Sequence, residues 1–89
     1  MIDDIKIDDG TRVDHTGTIT YRKNGVLHRE DGPAKIWVDG ETWWCINGEL
    51  HREDGPARTW NEGLNEWWIR DKQLTEQEFI VWKLQNLLK

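Results

Sequence analysis

The chain is short of several things at once. Only one of its 89 residues is a cysteine, Cys45. An intrachain disulfide and a zinc site of the cysteine-cluster type are both excluded, and the usage suits a reducing cytoplasm. No apolar run approaches the ~18 residues of a membrane span, and no signal-peptide core opens the sequence. A cytoplasmic location and no membrane partner are therefore expected. Apolar residues make up 36% and charged residues 33%, a balance closer to a disordered chain than to a packed one. Basic residues are also in deficit: 12 against 17 acidic, a net charge of −5. Such a chain is repelled by nucleic acid and by anionic membranes, so direct nucleic-acid binding is not expected.

What offsets these shortages is tryptophan. Trp37, Trp43, Trp44, Trp60, Trp67, Trp68 and Trp82 are seven in one small domain. Each can bury roughly 150–250 Å², so a few rings can replace many aliphatic side chains.

The second asset is repetition. "LHREDGPA" stands at residues 27–34 and again at 50–57. A shift of 23 residues also brings Asn24-Gly25 onto Asn47-Gly48, Trp37 onto Trp60, Gly17 onto Gly40, Gly40 onto Gly63 and Tyr21 onto Trp44. Beyond Gly63 an extra residue is expected, which would set Trp43-Trp44 over Trp67-Trp68 and Asp71-Lys72 where Asn-Gly should stand. A period of this size marks units that must stack on their neighbours to bury a face. The expected divisions are an N-terminal segment with a worn half repeat (1–26), two repeats (27–49 and 50–74) and a capping helix (75–89).

Each unit reads as strands and turns. Asn24-Gly25 and Asn47-Gly48 supply the positive φ angles of type I′ hairpin turns. In Asp31-Gly32-Pro33 and Asp54-Gly55-Pro56 the acid can cap a turn, glycine can take a φ closed to other residues, and proline ends any central strand. The expected fold is a β-rich α+β domain: an antiparallel meander of about six short strands, ended by one helix. Thr75 and Glu78 form a capping box for that helix. Phe79, Ile80, Leu84, Leu87 and Leu88 can share the face that would cover the sheet.

Tandem units of the form W-x-x-N-G-x-x-H-R-x-D-G-P-A resemble small proteins of tailed bacteriophages and some bacteria, which often finish with a segment like "LTEQEF". The resemblance runs from about Gly17 to Phe79, with Asn47, Gly48, His51, Arg52, Asp54, Gly55, Pro56 and Ala57 on the pattern. The texture is loosely similar to MORN-type repeats. The octapeptide is specific for the family, and the family carries no uniform activity. The resemblance implies a phage-encoded protein of the host cytoplasm, an inhibitor or modulator of a host defence or regulatory protein.

Two sets of residues are candidates for function. His28, Arg29, His51 and Arg52 would form a basic ladder if the repeats stack, able to hold an anion. Their architectural alternative is a bond from each histidine to the backbone and from each arginine to Asp31, Asp54 or a carbonyl. Trp43-Trp44 and Trp67-Trp68 are adjacent on strands and point to opposite faces, so one ring of each pair is left to a partner or to the stems of Arg and Lys. The first expectation is a non-enzymatic binding protein with a host protein as partner, itself a homo-oligomer, with a dimer favoured. A nucleotide sponge using Trp stacking with the His/Arg ladder is the second, and a hydrolase built on the duplicated His and Asp the third. H-E-x-x-H, G-x-S-x-G and a phosphate-binding glycine loop are absent, so no catalytic residue, cofactor or metal is assigned.

Overall fold

The computed structural model describes residues 4–8 and 10–88. The outermost residues of the N-terminal segment (1–3), residue 9 and residue 89 of the helical segment lie outside the described residues. The strands are β1 Ile5–Lys6, β2 Thr11–Val13, β3 Ile19–Lys23, β4 Val26–Leu27, β5 Lys35–Ile36 and β6 Thr42–Trp43. They continue as β7 Cys45–Ile46, β8 Glu49–Leu50, β9 Arg58–Thr59, β10 Asn65–Ile69 and β11 Lys72–Leu74, before helix α1 Glu76–Leu87. The molecule is a β-rich antiparallel meander closed by one C-terminal helix, an α+β fold.

The main sheet runs β1-β2-β3-β5-β6-β9-β10-β11, with β4 paired to β3 and β7 to β8 in side ladders. Each aromatic strand serves two ladders. In β3, Ile19 and Thr20 pair with Ile36 and Lys35, whereas Arg22 and Lys23 pair with Leu27 and Val26. In β10, Asn65 and Glu66 pair with Thr59 and Arg58, whereas Trp67 to Ile69 pair with Leu74 to Lys72. In the middle unit the change of partner falls at Trp44, between β6 and β7. Antiparallel hairpins thus project from one edge of the sheet, one per unit.

The repeat holds its 23-residue step through the last unit, with no extra residue after Gly63. Ala34 N–H donates to the Trp43 carbonyl, and Ala57 N–H donates to that of Glu66. Trp43 is therefore equivalent to Glu66, Trp44 to Trp67 and Cys45 to Trp68. The third hairpin turn is Arg70-Asp71, at φ 49° and 68°, and not Asp71-Lys72. Asn24-Gly25 and Asn47-Gly48 take the same positive angles, 54° and 82° then 51° and 82°, as a type I′ turn requires. The register expected from the adjacent Trp pairs fails because the backbone keeps the turn spacing, which sets Trp44 over Trp67 and Cys45 over Trp68.

The molecule measures 49 × 30 × 17 Å, thin enough for one sheet and its side chains. Its core is correspondingly sparse: Ala34, Cys45, Ala57 and Phe79 are the buried apolar residues described.

Helix α1 begins as expected. Thr75 Oγ1 accepts from Glu78 N–H, and the Glu78 carboxylate accepts from Thr75 N–H. It docks chiefly on β10 and β11, the last two strands of the sheet. Phe79 is buried and stacks on Trp82 at 6.1 Å. Ile80, Leu84, Leu87 and Leu88, expected on the covering face, are 45–87% exposed. The docked side is centred on Phe79, and the aliphatic stripe lies on the opposite side.

Candidate functional site

The duplicated octapeptide forms two arms that stack along one edge of the sheet. Three backbone positions tie each arm to the next hairpin. Gly48 N–H donates to the Leu27 carbonyl, Arg29 N–H to that of Cys45, and Asn47 N–H to His28 Nδ1 at 2.9 Å. One step on, Asp71 N–H donates to Leu50, Arg52 N–H to Trp68, and Arg70 N–H to His51 Nδ1 at 3.0 Å. A ring nitrogen that accepts from a backbone N–H carries no proton of its own. The neutral histidines are thus Nε2–H tautomers. His51 Nε2 lies 2.8 Å from Glu53 Oε2, and His28 Nε2 lies 3.6 Å from Glu30 Oε1. Both imidazoles are splints between units.

The arginines are equally committed. Arg29 lies over the Tyr21 ring at 4.1 Å, with Nε donating to Asp31 and Nη1 to the Pro33 carbonyl. Arg52 lies over the Trp44 ring at 3.7 Å, with Nε donating to Asp54 at 2.8 Å and Nη1 to the Pro56 carbonyl. That hydrogen bond from Arg52 holds the Asp54 carboxyl below its usual range. In the last unit the 23-residue step puts Thr75 at this position, so Trp67 has no arginine over it. Gly32 and Gly55 are not at positive φ. A Cβ there would stand 2.7 Å from Arg29 Cζ and 3.1 Å from Arg52 Cζ, so each guanidinium would have to move off its ring and its aspartate. The aspartates of these turns hold arginine instead of capping the backbone.

The outward chemistry of the arms is therefore acidic. The side chains of Glu30, Asp31, Glu53 and Asp54 are 81%, 90%, 67% and 72% exposed. Between the arms lies an open cleft of about 420 Å³, walled by these carboxylates and by Arg29 and Arg52, with Trp44 and Ile46 among its lining. The expected basic ladder exists as a row of residues, but its cationic atoms face inward.

The other sheet face carries a second constellation that the sequence did not reveal. Lys35, Trp43, Arg58 and Glu66 are cross-strand neighbours in one row. Trp37 meets Trp43 edge-on at 5.0 Å, and Lys35 Nζ lies 4.5 Å from the Trp37 ring. Arg58 lies 4.0 Å from the Trp60 ring and 4.9 Å from that of Trp43. Glu66 accepts the indole N–H of Trp60 at 2.9 Å and of Trp68 at 3.0 Å. Burial pushes the Glu66 pKa up, but the two indole donors and Arg58 together outweigh it and hold the carboxyl below its ordinary value. Glu41 plays the same part for Trp43 at 3.3 Å. The only advance sign was an acid two residues before each of Trp43 and Trp68, a spacing that returns to the same strand face.

All four candidate tryptophans are half-buried. Trp43 and Trp44 are packed laterally by cationic stems, on opposite faces. Trp68 is tied to Glu66, and Trp67 lines a shallow hollow with Leu74 and Thr75. The structure brings Arg29, His51, Arg52 and Trp44 together around the cleft, whereas His28 lines a neighbouring hollow with Lys23, Glu30 and Asp31. Cys45 is buried, which pushes its thiol pKa up to about 11. It behaves as a small apolar residue.

Among the described residues, no three His, Cys, Asp or Glu side chains converge as a metal site would need. No helix among them is long and apolar enough to cross a membrane. Comparison with family models, curated proteins and solved structures finds no match to this chain.

Proposed function

We propose that this chain is a non-enzymatic binding protein of the cytoplasm that receives a cationic segment of a partner protein between its two arms. The observation that carries the reading is the polarity of the arms. Arginine and histidine are turned inward onto rings and backbone, while four carboxylates face solvent around a cleft with an aromatic wall. Such a cleft gives steering through charge and contact area through Trp44 and Ile46. The resemblance to phage proteins makes a host defence or regulatory protein the partner to seek first, and inhibition or modulation the role. The same polarity weighs against a nucleotide sponge, because Arg52 occupies the ring face that a base would need. It weighs equally against acid–base chemistry at His28 and His51, whose Nδ1 atoms are engaged.

The test is capture from a bacterial host lysate by the immobilised chain, beside the variant Glu30→Lys/Glu53→Lys. A protein with a Lys- or Arg-rich surface should be retained by the parent, released by about 0.5 M salt, where screening is severe, and absent from the variant. Retention of the same proteins by both chains, or of none by the parent, overturns the reading.

A further inference from the structure

The β3–β4, β7–β8 and β10–β11 hairpins are built alike, but only the last two carry an arm. The Leu27 carbonyl accepts from Gly48 N–H at 2.8 Å, and His28 Nδ1 accepts from Asn47 N–H at 2.9 Å. Leu50 and His51 do the same for Asp71 and Arg70. The β3–β4 hairpin turns on Asn24-Gly25 with the same backbone angles. None of the described residues accepts from its Asn24 or Gly25 N–H. A Cβ on Gly48 would stand 3.4 Å from the Val26 side chain, whereas one on Gly25 would meet nothing within 4 Å. The 23-residue step puts Asp4-Ile5-Lys6 where an arm would cross this hairpin. Ile5 and Lys6 instead fold back and pair with Val13 and Arg12. We propose that the β3–β4 hairpin is a docking site for an extended Leu-His segment of a different protein, seated as Leu27-His28 and Leu50-His51 are seated in this chain.

The two filled hairpins specify the occupant. It offers two successive acceptors, a backbone carbonyl and then the Nδ1 of a histidine. An apolar residue before the leucine fills the space over Gly25 that Val26 fills over Gly48. Acidic residues follow the histidine. Ile46 lines the cleft beside Glu30 and Asp31 of the arm docked on its own hairpin, and Lys23 stands at the place of Ile46. Here, then, a cation meets the acids of the docked segment, and main-chain bonds at a sheet edge gain a charge preference.

A second copy of this chain has no such segment to give. Both of its Leu-His arms are bonded to its own hairpins. Where a third arm would begin, Thr75 spends its N–H on Glu78 and opens α1. The proposed contact has one bond fewer than the internal ones. The Cys45 carbonyl accepts from Arg29 N–H, but the equivalent Arg22 is closed off by Gly10. The Gly10 carbonyl takes the Arg22 N–H at 2.6 Å, and a Cβ on Gly10 would stand 2.5 Å from the Arg22 carbonyl oxygen. The segment therefore engages the two turn amides and leaves Arg22 to Gly10.

The test is an amide NMR titration of the full chain with an end-blocked peptide, Val-Leu-His-Arg-Glu-Asp-Gly-Pro-Ala, a copy of residues 26–34. The signals of Asn24 and Gly25 should move and saturate. Those of Asn47, Gly48, Arg70 and Asp71 should stay in place, since their acceptors are held within the chain. Replacing the peptide histidine with alanine should weaken binding about fivefold, the worth of one neutral hydrogen bond. Asparagine there should restore part of the loss. Lys23→Glu, at an exposed position, should weaken binding while the chain keeps its melting midpoint. No movement of Asn24 and Gly25 up to about 5 mM peptide, equal movement of Asn47 and Gly48, or undiminished binding of the alanine peptide or by Lys23→Glu overturns the proposal. Lys23→Glu should still retain the cationic partner of the cleft, so either idea can fail alone.

Discussion

His51 shows how a residue type that suggests chemistry can be spent on architecture. Its Nδ1 accepts the Arg70 N–H at 3.0 Å. Replacing it with alanine hands that exposed donor to water and should cost about 0.5–1.5 kcal/mol by urea denaturation. Asparagine, whose Oδ1 falls near the Nδ1 position, should recover a large part of the loss. Long-range nitrogen–proton spectra at neutral pH should show His28 and His51 as Nε2–H tautomers. Gly32 and Gly55 teach a related lesson. "DGP" suggested a positive φ, whereas the constraint is the guanidinium lying against the glycine. Gly32→Ala should therefore be worse than Gly55→Ala, in the order of the two clearances. Its effect should nearly vanish in an Arg29→Ala background, which a double-mutant cycle of melting free energies would read. A positive-φ site would show no such coupling. Sequence alone exposed the turn-forming residues but not this one, because nothing local to Gly32 says that Arg29 folds back across it.

At the scale of the element, the turns and the helix start were legible because their chemistry is local. Asn-Gly announces a type I′ turn, and Thr75 with Glu78 announces a helix. Arg70-Asp71 announces nothing. Its positive φ angles are imposed from outside, by His51 and by Leu50, whose N–H also reaches Asp71 Oδ1 at 3.0 Å. Arg70→Asn should therefore raise stability by about 0.5 kcal/mol, since asparagine tolerates this region better. An unchanged or lower urea midpoint would show that the turn is not strained. The helix shows the opposite failing. Its aliphatic positions were legible, but not which side docks, because a wheel records polarity and not contact. Phe79→Ala should cost about 3 kcal/mol, whereas Leu84→Ala should cost less than about 0.5 kcal/mol. The aromatic row makes a prediction about pH. The Glu66 carboxyl is depressed in the folded state, so its contribution is fully present above its unfolded value of 4.5 and is lost as pH falls through the folded value. The melting midpoint should drop as acid is added below about pH 4.5, and Glu66→Gln should flatten that slope. Asp54 adds to the same trend with the same sign.

For the whole molecule, the fold class could be read from the repeat, while its thinness could not. A repeat says that units stack, but not how many layers result. Here each unit contributes two strands to a single sheet, and interactions run mainly between neighbours. Inserting a second copy of residues 27–49 after residue 49 should therefore give a cooperative, longer protein with a higher melting midpoint. Its long dimension by small-angle scattering should grow by about 10 Å, two strand spacings. A molten or aggregated product would mean that the ends, and not the neighbours, hold the sheet. The unbroken 23-residue step also gives the molecule a pitch. Successive arms recur about every 10 Å along the edge, which matches about two turns of an α-helix or three residues of extended chain. A ligand whose cations fall at that interval can engage both arms in one registration, and a ligand of any other interval engages one arm at a time. Selectivity then resides in spacing, and it would be lost by a further pair of strands inserted between the arms that left each arm intact.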